Sequence, residues 1–226
     1  MDIGVLNAVR GSRVQGRRFD IISNNLANVG TAGFKKDMLT FDQTLQGSVR
    51  TDLRQGNLRL TGNSLDIALH GDGFFEIRTP DGVRYTRNGS FSLNADSALV
   101  TQNGDPVLGE NGVIRVEGDN INIDTKGQIT VDESAADTLS IVSFVRPELL
   151  RKEGLSYSVY NGDQREIVKP EEVFVKQGYL EESNVVVVEE MTRMIEALRT
   201  YESYQKVLQT FDETTYKSVN DVGRVQ

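Results

Sequence analysis

The chain has 226 residues and a formal net charge of −8, contains no cysteine, and is 38% hydrophobic and 26% charged. It is long enough to bury a core without disulfides or thiolate-bound metal, and no apolar run is long enough to span a bilayer. Its acidic balance disfavours a nucleic-acid partner, because binding to phosphates needs clustered lysine and arginine. The opening "MDIGVLNAVRGSRVQG" lacks the apolar core and cleavage site of a secretory signal, so any export is expected to use another route.

The first predicted element is a helix over residues 3–29. Phe19, Ile22 and Leu26 recur at steps of three and four, which places them on one narrow apolar face. Gly30 is expected to end this helix. Four arginines on the same helix form a basic stripe that we interpret as a solvated or partner-facing surface. They are Arg10, Arg13, Arg17 and Arg18.

Three asparagines, Asn24, Asn25 and Asn28, interrupt the end of this helix, where asparagine is a poor helix former. On a helix they would form a polar edge beside the apolar face. An amide at a buried helix–helix contact specifies one register, which would make all three assembly residues. The resemblance described below, rather than the residues alone, favours this interpretation. A frayed helix end with Asn and Gly caps is the alternative.

The middle of the chain, residues 58–180, alternates short apolar and polar runs such as "FFEIR" and "INID". Dipeptides such as Asp81-Gly82, Asn88-Gly89 and Asn111-Gly112 separate the runs. We expect them to supply the positive φ angles of hairpin turns, which predicts a mostly antiparallel β domain of many short strands. Whether it is a sandwich or a barrel is left open by the pattern.

The last predicted element is a long helix that ends near Gly223. Its apolar residues step by three, four and seven, which is typical of a coiled-coil-like contact face. They are Met191, Met194, Leu198, Tyr201, Leu208 and Phe211. The β-branched run Val185–Val188 favours an extended entry, so the regular helix is expected to begin near Glu189.

The predicted fold class is therefore α+β, with N- and C-terminal helices that pair as a coiled-coil-like layer and a central, mostly antiparallel β domain. The predicted divisions are residues 1–35 for the N-terminal helical segment, 36–57 for a linker, 58–180 for the β domain and 181–226 for the C-terminal helix. The apolar faces of these helices are only partly covered within one chain, which favours contacts between chains. Such contacts build open helical filaments when the rotation that relates neighbouring subunits does not produce a closed ring.

The residue pattern contains no recognisable catalytic, metal or cofactor site. His70 is the only histidine and cannot form a multi-histidine metal site. The acidic pairs Glu181-Glu182 and Glu189-Glu190 are interpreted as surface charge, because neighbouring side chains diverge on a strand or a helix. We predict that the protein is not an enzyme and binds no cofactor or small-molecule substrate; a β-rich enzyme with a helical stalk is the reading that this pattern disfavours.

Three sequence blocks carry a resemblance to a known family. "ISNNLANVGTAGFKKDMLTF" (22–41) is similar to the N-terminal signature of the rod and hook axial proteins of the bacterial flagellum. "LDIALHGDGFFEIRTPDGVRYTRNGSFSLNADSALVTQNGDPVLG" (65–109) resembles the family's central motif, and "GYLEESNVVVVEEMTRMIEALRTYESYQKVLQTFDE" (178–213) resembles its C-terminal signature. The blocks occur in the family's order. Two departures are the missing glycine in "NADSALV" and the extra valines of "SNVVVVEEM".

The resemblance implies a structural subunit of the basal-body rod, the periplasmic drive shaft that transmits torque. It also implies that the terminal helices pair inside a helical tube and are disordered in the free monomer. The expected partners are further copies of this chain and other rod subunits. Export is expected through the flagellar type III apparatus, without a cleaved signal. The short chain favours a proximal over a distal rod subunit. A soluble β-rich binding module with a helical dimerisation stalk is the alternative from another class. As a further hypothesis, Phe41 and Leu45 form an export contact.

Overall fold

The computed structural model describes residues 3–41, 47–118, 120–170 and 172–222, and side chains in the last helix as far as residue 217. The chain divides into two compact units. The helical unit comprises residues 1–27, 37–50 and 186–226, and the β unit comprises residues 28–36 and 51–185. Within the described residues, no helix is both long and apolar enough to cross a membrane.

The helical unit consists of α1 (Ile3–Ala27), α2 (Val187–Val222) and the short strands β1 (Asp37–Phe41) and β2 (Gly47–Thr51), which pair with each other. The two helices pack together, so the predicted pairing is confirmed. α1 ends two residues before the predicted end, and α2 begins two residues before Glu189. Its first turn therefore begins with two β-branched residues and also contains Glu189 and Glu190, the acidic side chains that a helix N-terminus favours.

The helices run antiparallel. Gly11 on α1 lies against Tyr204 on α2, whereas Asn25, near the end of α1, reaches Glu190, near the start of α2. Positions that advance along α1 therefore meet positions that recede along α2. At about 1.5 Å per residue the overlap covers most of α1.

The β unit contains seventeen strands among its described residues, most of them three to six residues long. They are β3 (Leu58–Leu60), β4 (Ile67–His70), β5 (Phe74–Thr79), β6 (Gly82–Thr86), β7 (Phe91–Leu93), β8 (Leu99–Thr101), β9 (Leu108–Gly109), β10 (Gly112–Val113), β11 (Ile121–Ile123), β12 (Gln128–Val131), β13 (Ser134–Thr138), β14 (Ile141–Phe144), β15 (Leu150–Glu153), β16 (Tyr157–Tyr160), β17 (Ile167–Val168), β18 (Phe174–Gln177) and β19 (Tyr179–Glu181). Two short 3-10 helices, Pro147–Leu149 and Gln164–Glu166, precede β15 and β17.

The strand pairings of the β unit are antiparallel wherever the register is defined, as the sequence predicts. The largest sheet is open and six-stranded, in the order β15-β16-β6-β5-β14-β17. A three-stranded sheet, β11-β12-β13, and the two-stranded ladders β3-β19, β4-β18, β7-β8 and β9-β10 complete the unit.

The core of the β unit lies on both faces of β5. Phe75 and Ile77 belong to the main apolar cluster, while Phe74 belongs to a second cluster with Tyr85 and Phe144. Successive side chains of a strand point to opposite faces, so a strand with both sets buried lies between two layers. The run "FFEI" therefore holds the two layers together.

The turn glycines serve two different purposes. Gly112, the first residue of β10, directly follows the two-residue turn after β9 and has a φ of 117°, a backbone angle that favours glycine. Gly89 does not have a positive φ, which corrects the expectation for the Asn88-Gly89 dipeptide. A Cβ at Gly89 would lie 1.6 Å from the carbonyl oxygen of Ile67, so the residue is required for a close approach of two backbone segments.

Candidate assembly interface

The contact face of α2 toward α1 follows an unbroken heptad pattern. Glu190 and Ala197 are buried, Tyr201 is 39% exposed, and the other members are half-buried. In chain order the face consists of Glu190, Met194, Ala197, Tyr201, Tyr204, Leu208 and Phe211. Steps of four and three along a helix keep one stripe directed at its partner, which is the geometry of a two-helix coiled coil.

The contact face of α1 is narrower and more polar. Ala8, Ser12 and Ile22 are buried there, and Phe19 and Leu26 are half-buried. The predicted assembly residues Phe19, Ile22 and Leu26 therefore lie on one face. Small and polar side chains on such a face limit the apolar area that the helix pair buries, so the free energy gained from the pair alone is small.

Asn25 is a fully buried amide in the helical unit. Its Oδ1 accepts a hydrogen bond from the Asp37 backbone N–H at 2.9 Å, and its Nδ2 donates to the Asp37 carbonyl oxygen at 2.9 Å. Nδ2 also lies 3.3 Å from the Glu190 carboxylate, which accepts a second hydrogen bond from Arg193 at 2.8 Å. One amide therefore connects the end of α1, the start of β1 and the first turn of α2.

The other two asparagines do not share this position. Asn24 is exposed, and Asn28 follows the end of α1 and belongs to the β unit. Thr31 donates to Asn28 through its hydroxyl, at 3.3 Å to Oδ1, and through its backbone N–H, at 3.1 Å to the carbonyl oxygen. The expectation of one polar helix edge with three amides is therefore wrong for Asn28, because the helix ends before it.

The predicted apolar residues of α2 lie on two faces of the helix rather than one. Met194, Leu208 and Phe211 are half-buried on the α1 side. Met191 is 54% exposed and Leu198 is 41% exposed. Tyr201, at 39%, lies at the border between the two faces. The role of all six residues in assembly stays a prediction.

A second apolar stripe on α2 contains the exposed members. It is defined here as Val188, Met191, Ile195 and Leu198, each at least 41% exposed. Steps of three and four align these residues along the helix, on a face turned roughly 100° from the α1 contact face. The described part of this chain leaves the outer stripe facing solvent.

A buried ion network fastens the segment 28–36 within the β unit. The Lys35 ammonium lies 2.5 Å from the Glu181 carboxylate, and the two side chains are 5% and 0% exposed. Lys35 also donates to the Arg54 carbonyl oxygen at 2.7 Å, and Glu181 accepts from the Gly56 backbone N–H at 2.8 Å. Arg87 approaches the same carboxylate at 3.4 Å. Glu181 is therefore surrounded by donors, as a buried carboxylate must be.

Burial dominates the electrostatics of this network. It lowers the pKa of Lys35 and that of Arg87, because desolvation disfavours the charged forms, and the negative charge of Glu181 opposes both shifts. The segment is also held through Phe34, which is 1% exposed and lies 3.8 Å beneath the Lys152 ammonium. The chain that follows α1 is consequently a fixed part of the β unit.

Asn184 forms a second attachment for this segment. Its Oδ1 accepts from the Lys36 backbone N–H at 2.8 Å, and its Nδ2 donates to the carbonyl oxygens of Asp52 and Arg54 at 2.8 and 3.0 Å. The Asn184 side chain therefore links the segment at Lys36 to the stretch at Asp52 and Arg54, beside the backbone hydrogen bond from Asp52 N–H to the Lys36 carbonyl oxygen at 2.8 Å.

The prediction that the two acidic pairs are surface charge is wrong for one member of each pair. Glu181 and Glu190 are each 1% exposed, so neither is the surface charge that the adjacency argument predicted. A signal was available for Glu190, which stands four residues before Met194 in the heptad pattern. A charged residue in a heptad contact position indicates a buried partner. Nothing local marks Glu181, because its partner Lys35 is 146 positions away.

The remaining predicted residues lie elsewhere. His70 ends β4 and is exposed. Phe41 ends β1, and its side chain, like the whole of Leu45, lies outside the described residues. The export contact therefore stays a hypothesis.

Three family models match the chain in order. They describe a flagella basal body rod protein over residues 6–35, a flagellar hook protein FlgE/F/G D1 domain over residues 68–133, and a flagellar basal body rod FlgEFG protein C-terminal region over residues 176–220. The flagellar basal-body rod protein FlgF of Caulobacter vibrioides is 34% identical over 234 residues, which cover 92% of this chain and 93% of that protein. The chain belongs to the flagellar basal-body rod protein family.

Other relatives of this rod-family chain carry both of the family's rod names. The rod protein FlgG of Bacillus subtilis is 33% identical over 244 residues, which cover 90% of this chain and 92% of that protein. FlgF of Mesorhizobium japonicum is 28% identical over 222 residues, which cover 92% of each chain. The family is structural, and its members are subunits of the basal-body rod. The first matched region contains most of α1 together with Lys35, the second contains much of the main apolar cluster, and the third contains Glu181 and most of α2.

Proposed function

We propose that this rod-family chain is a proximal rod subunit, and that it docks onto neighbouring subunits through the outer stripe of α2. The exposed apolar stripe at Val188, Met191, Ile195 and Leu198 is the observation that carries the proposal. Apolar side chains aligned on a helix bury their area against a partner, and in a rod the available partner is the next subunit.

Alignment length supports the proximal position. The alignments with the two FlgF relatives are 234 and 222 residues long and each cover 92% of this chain. The alignment with FlgG of Bacillus subtilis is longer, 244 residues, although it covers only 90% of this chain. The FlgG alignment therefore contains more inserted residues. The segment between α1 and β3 is also short in this chain, which leaves little room for a distal-rod insertion. The distal rod subunit is the second candidate, because both names occur among the relatives.

The mechanism that we propose is ordering on assembly. The α1 contact face is narrow and partly polar, and Gln15 has a buried side-chain oxygen without a hydrogen-bond partner among the described residues. The helix pair alone therefore gains little, and docking supplies the missing burial. Terminal segments that order only on docking lose their conformational entropy at that step, which keeps exported chains from assembling too early. Export through the flagellar type III apparatus to the periplasm is part of the proposal.

Substitution of the outer stripe tests the proposed function. Leu198→Asp should remove the protein from purified basal bodies and abolish swimming, because it places a charge in an apolar subunit contact. Ser203→Asp is the matched control on another exposed face of α2, and it should retain both properties. Normal incorporation of the Leu198→Asp chain would contradict the docking role.

The export hypothesis needs a separate measurement. Phe41→Ala should lower the amount of protein secreted by cells that lack a completed hook, with the intracellular amount unchanged. Thr40→Ala is a neighbouring control that keeps the aromatic and aliphatic pair. If the Phe41→Ala chain is secreted at the normal level, the export contact is wrong, while the rod assignment is unaffected.

A further inference from the structure

α1 has a second face, opposite to α2, that carries three arginines. Arg10, Arg13 and Arg17 are exposed and follow one another at steps of three and four, so they lie along one line of the helix. Ala8, Ser12 and Ile22, which are buried toward α2, lie on the other side. The three arginines are called the arginine stripe below.

The arginine stripe has no partner within the described chain. The side chains of its three members form no ion pair and no hydrogen bond with any described residue. The apolar stem of an exposed arginine and its planar group with five donors suit it to a protein contact that involves carboxylates. Three such groups in a line on one helix therefore present a surface ready for an acidic partner.

The charge of the chain favours a second copy as that partner. α1 contains four arginines and one aspartate, a net charge of +3, although the whole chain carries −8. Every other part of the molecule together is therefore strongly acidic. A basic helix on an acidic subunit is complementary to the remaining surface of its neighbours, and complementary potentials fix register between subunits.

One face of α2 matches the arginine stripe in spacing. Glu189 and Glu196 are exposed and stand seven residues apart, which places them on the same side of α2 about 10 Å from each other. Arg10 and Arg17 are also seven residues apart, with the same separation. Glu196 forms no described ion pair, and Glu189 has only a loose contact of 3.8 Å with exposed Arg193. Both carboxylates remain available to a neighbour.

We propose that the arginine stripe of one subunit binds Glu189 and Glu196 on α2 of a second copy of this chain. This inference rests on the proposed function, because it assigns the partner of one helix face in the rod. It adds a contact that is polar and sets register, beside the apolar outer stripe. An exposed ion pair contributes little by itself, so the repeated pairs along a rod act together.

A charge exchange tests the assignment in the complete chain. Arg10→Glu combined with Arg17→Glu should weaken each contact by roughly fivefold to tenfold, the range expected when two exposed pairs become repulsive. Incorporation into basal bodies and swimming should fall sharply. Glu189→Arg combined with Glu196→Arg should have the same effect. The chain with all four substitutions should regain both properties, because every contact again joins opposite charges.

Controls separate this contact from general charge effects. Glu202→Arg combined with Glu213→Arg changes the net charge equally on another face of α2, and this pair should neither abolish incorporation nor rescue the arginine double variant. Export level and thermal unfolding of the β unit should match the wild type throughout. Because the natural chain has no cysteine, an Arg17→Cys chain and a Glu196→Cys or Glu189→Cys chain with different tags can be coexpressed. Oxidised basal bodies should then contain a mixed dimer.

Three results would overturn the inference. The first is normal incorporation of the arginine double variant. The second is failure of the fourfold exchange to restore incorporation, which would assign the stripe to another rod protein or another surface. The third is rescue by the control pair, which would reduce the effect to net charge. In all three cases wild-type chains still enter the basal body; only their absence from it would contradict the proposed function itself.

Discussion

Replacement of Lys35 by methionine should strongly destabilise the β unit. The Lys35 ammonium and the Glu181 carboxylate are 2.5 Å apart, with side-chain exposures of 5% and 0%. Removal of one member of a buried pair leaves the other charge without its partner, which costs about 3–5 kcal/mol. Gly56 and Arg87 still donate to the carboxylate, so we expect about 2–4 kcal/mol for Lys35→Met.

The assay is urea unfolding of the purified full-length chain, followed by far-ultraviolet circular dichroism. The matched control is Lys169→Met, since Lys169 and Glu110 form a pair of similar length, 2.7 Å, with side chains that are 80% and 52% exposed. An exposed pair contributes at most about 1 kcal/mol. Lys35→Met should therefore lower the unfolding midpoint clearly more than the control does. If both substitutions changed the free energy of unfolding by less than about 0.5 kcal/mol, the buried network would not stabilise the unit as argued.

Three further predictions concern the helices and the pH response. Asn25→Leu leaves several buried polar groups unpaired, each at a cost of about 1–3 kcal/mol. It should therefore reduce incorporation into basal bodies far more than Asn24→Leu, a substitution at the exposed neighbouring position. Equal effects would contradict the role of Asn25 in linking the helices. A Cβ at Gly11 would lie 2.3 Å from the ring of Tyr204, so Gly11→Leu should displace that ring from the α1 contact and impair swimming. Gly16→Leu is the control, because a Cβ at Gly16 meets nothing within 4 Å, and two normal variants would contradict the close approach of Gly11 to Tyr204. Burial raises the pKa of Tyr85 from 10.0 in the unfolded chain to about 12 in the folded one. As the pH rises, the unfolded chain therefore loses this proton first, and the free energy of unfolding should fall between pH 10.0 and 12. Tyr85→Phe should flatten that fall in urea titrations, and identical profiles would refute the assignment.

The elements of this fold follow from local patterns in the sequence. Steps of three and four predict both helices, and short alternating runs with turn glycines predict the antiparallel β unit, because side-chain period depends on local backbone geometry. The α2 contact face is only partly predicted. Met194, Leu208 and Phe211 face α1, but Met191 and Leu198 belong to a neighbouring face. Apolar character alone does not separate two adjacent stripes on one helix.

The buried ionic contacts could not be predicted in the same way. Lys35 and Glu181 are distant in sequence, and each stands beside another residue of the same charge. Their burial depends on the antiparallel pairing of β3 with β19, which places Glu181 opposite Leu58. A charged residue is exposed by default, so only the tertiary structure identifies the partner that makes burial possible. Asn25 was selected correctly as an unusual residue, yet its hydrogen bonds to Asp37 required the structure.

Hydrogen exchange on the purified full-length chain, read by mass spectrometry with sedimentation in parallel, tests whether the terminal helices order only on assembly. We expect a monomer in which residues 3–27 and 187–222 exchange within seconds, while residues 28–36 and most of 51–185 are protected. The boundary is expected near Ala27, because the Lys35 network holds the following segment in the β unit. A discrete dimer in which both helices are protected would contradict ordering on assembly and favour a closed binding module.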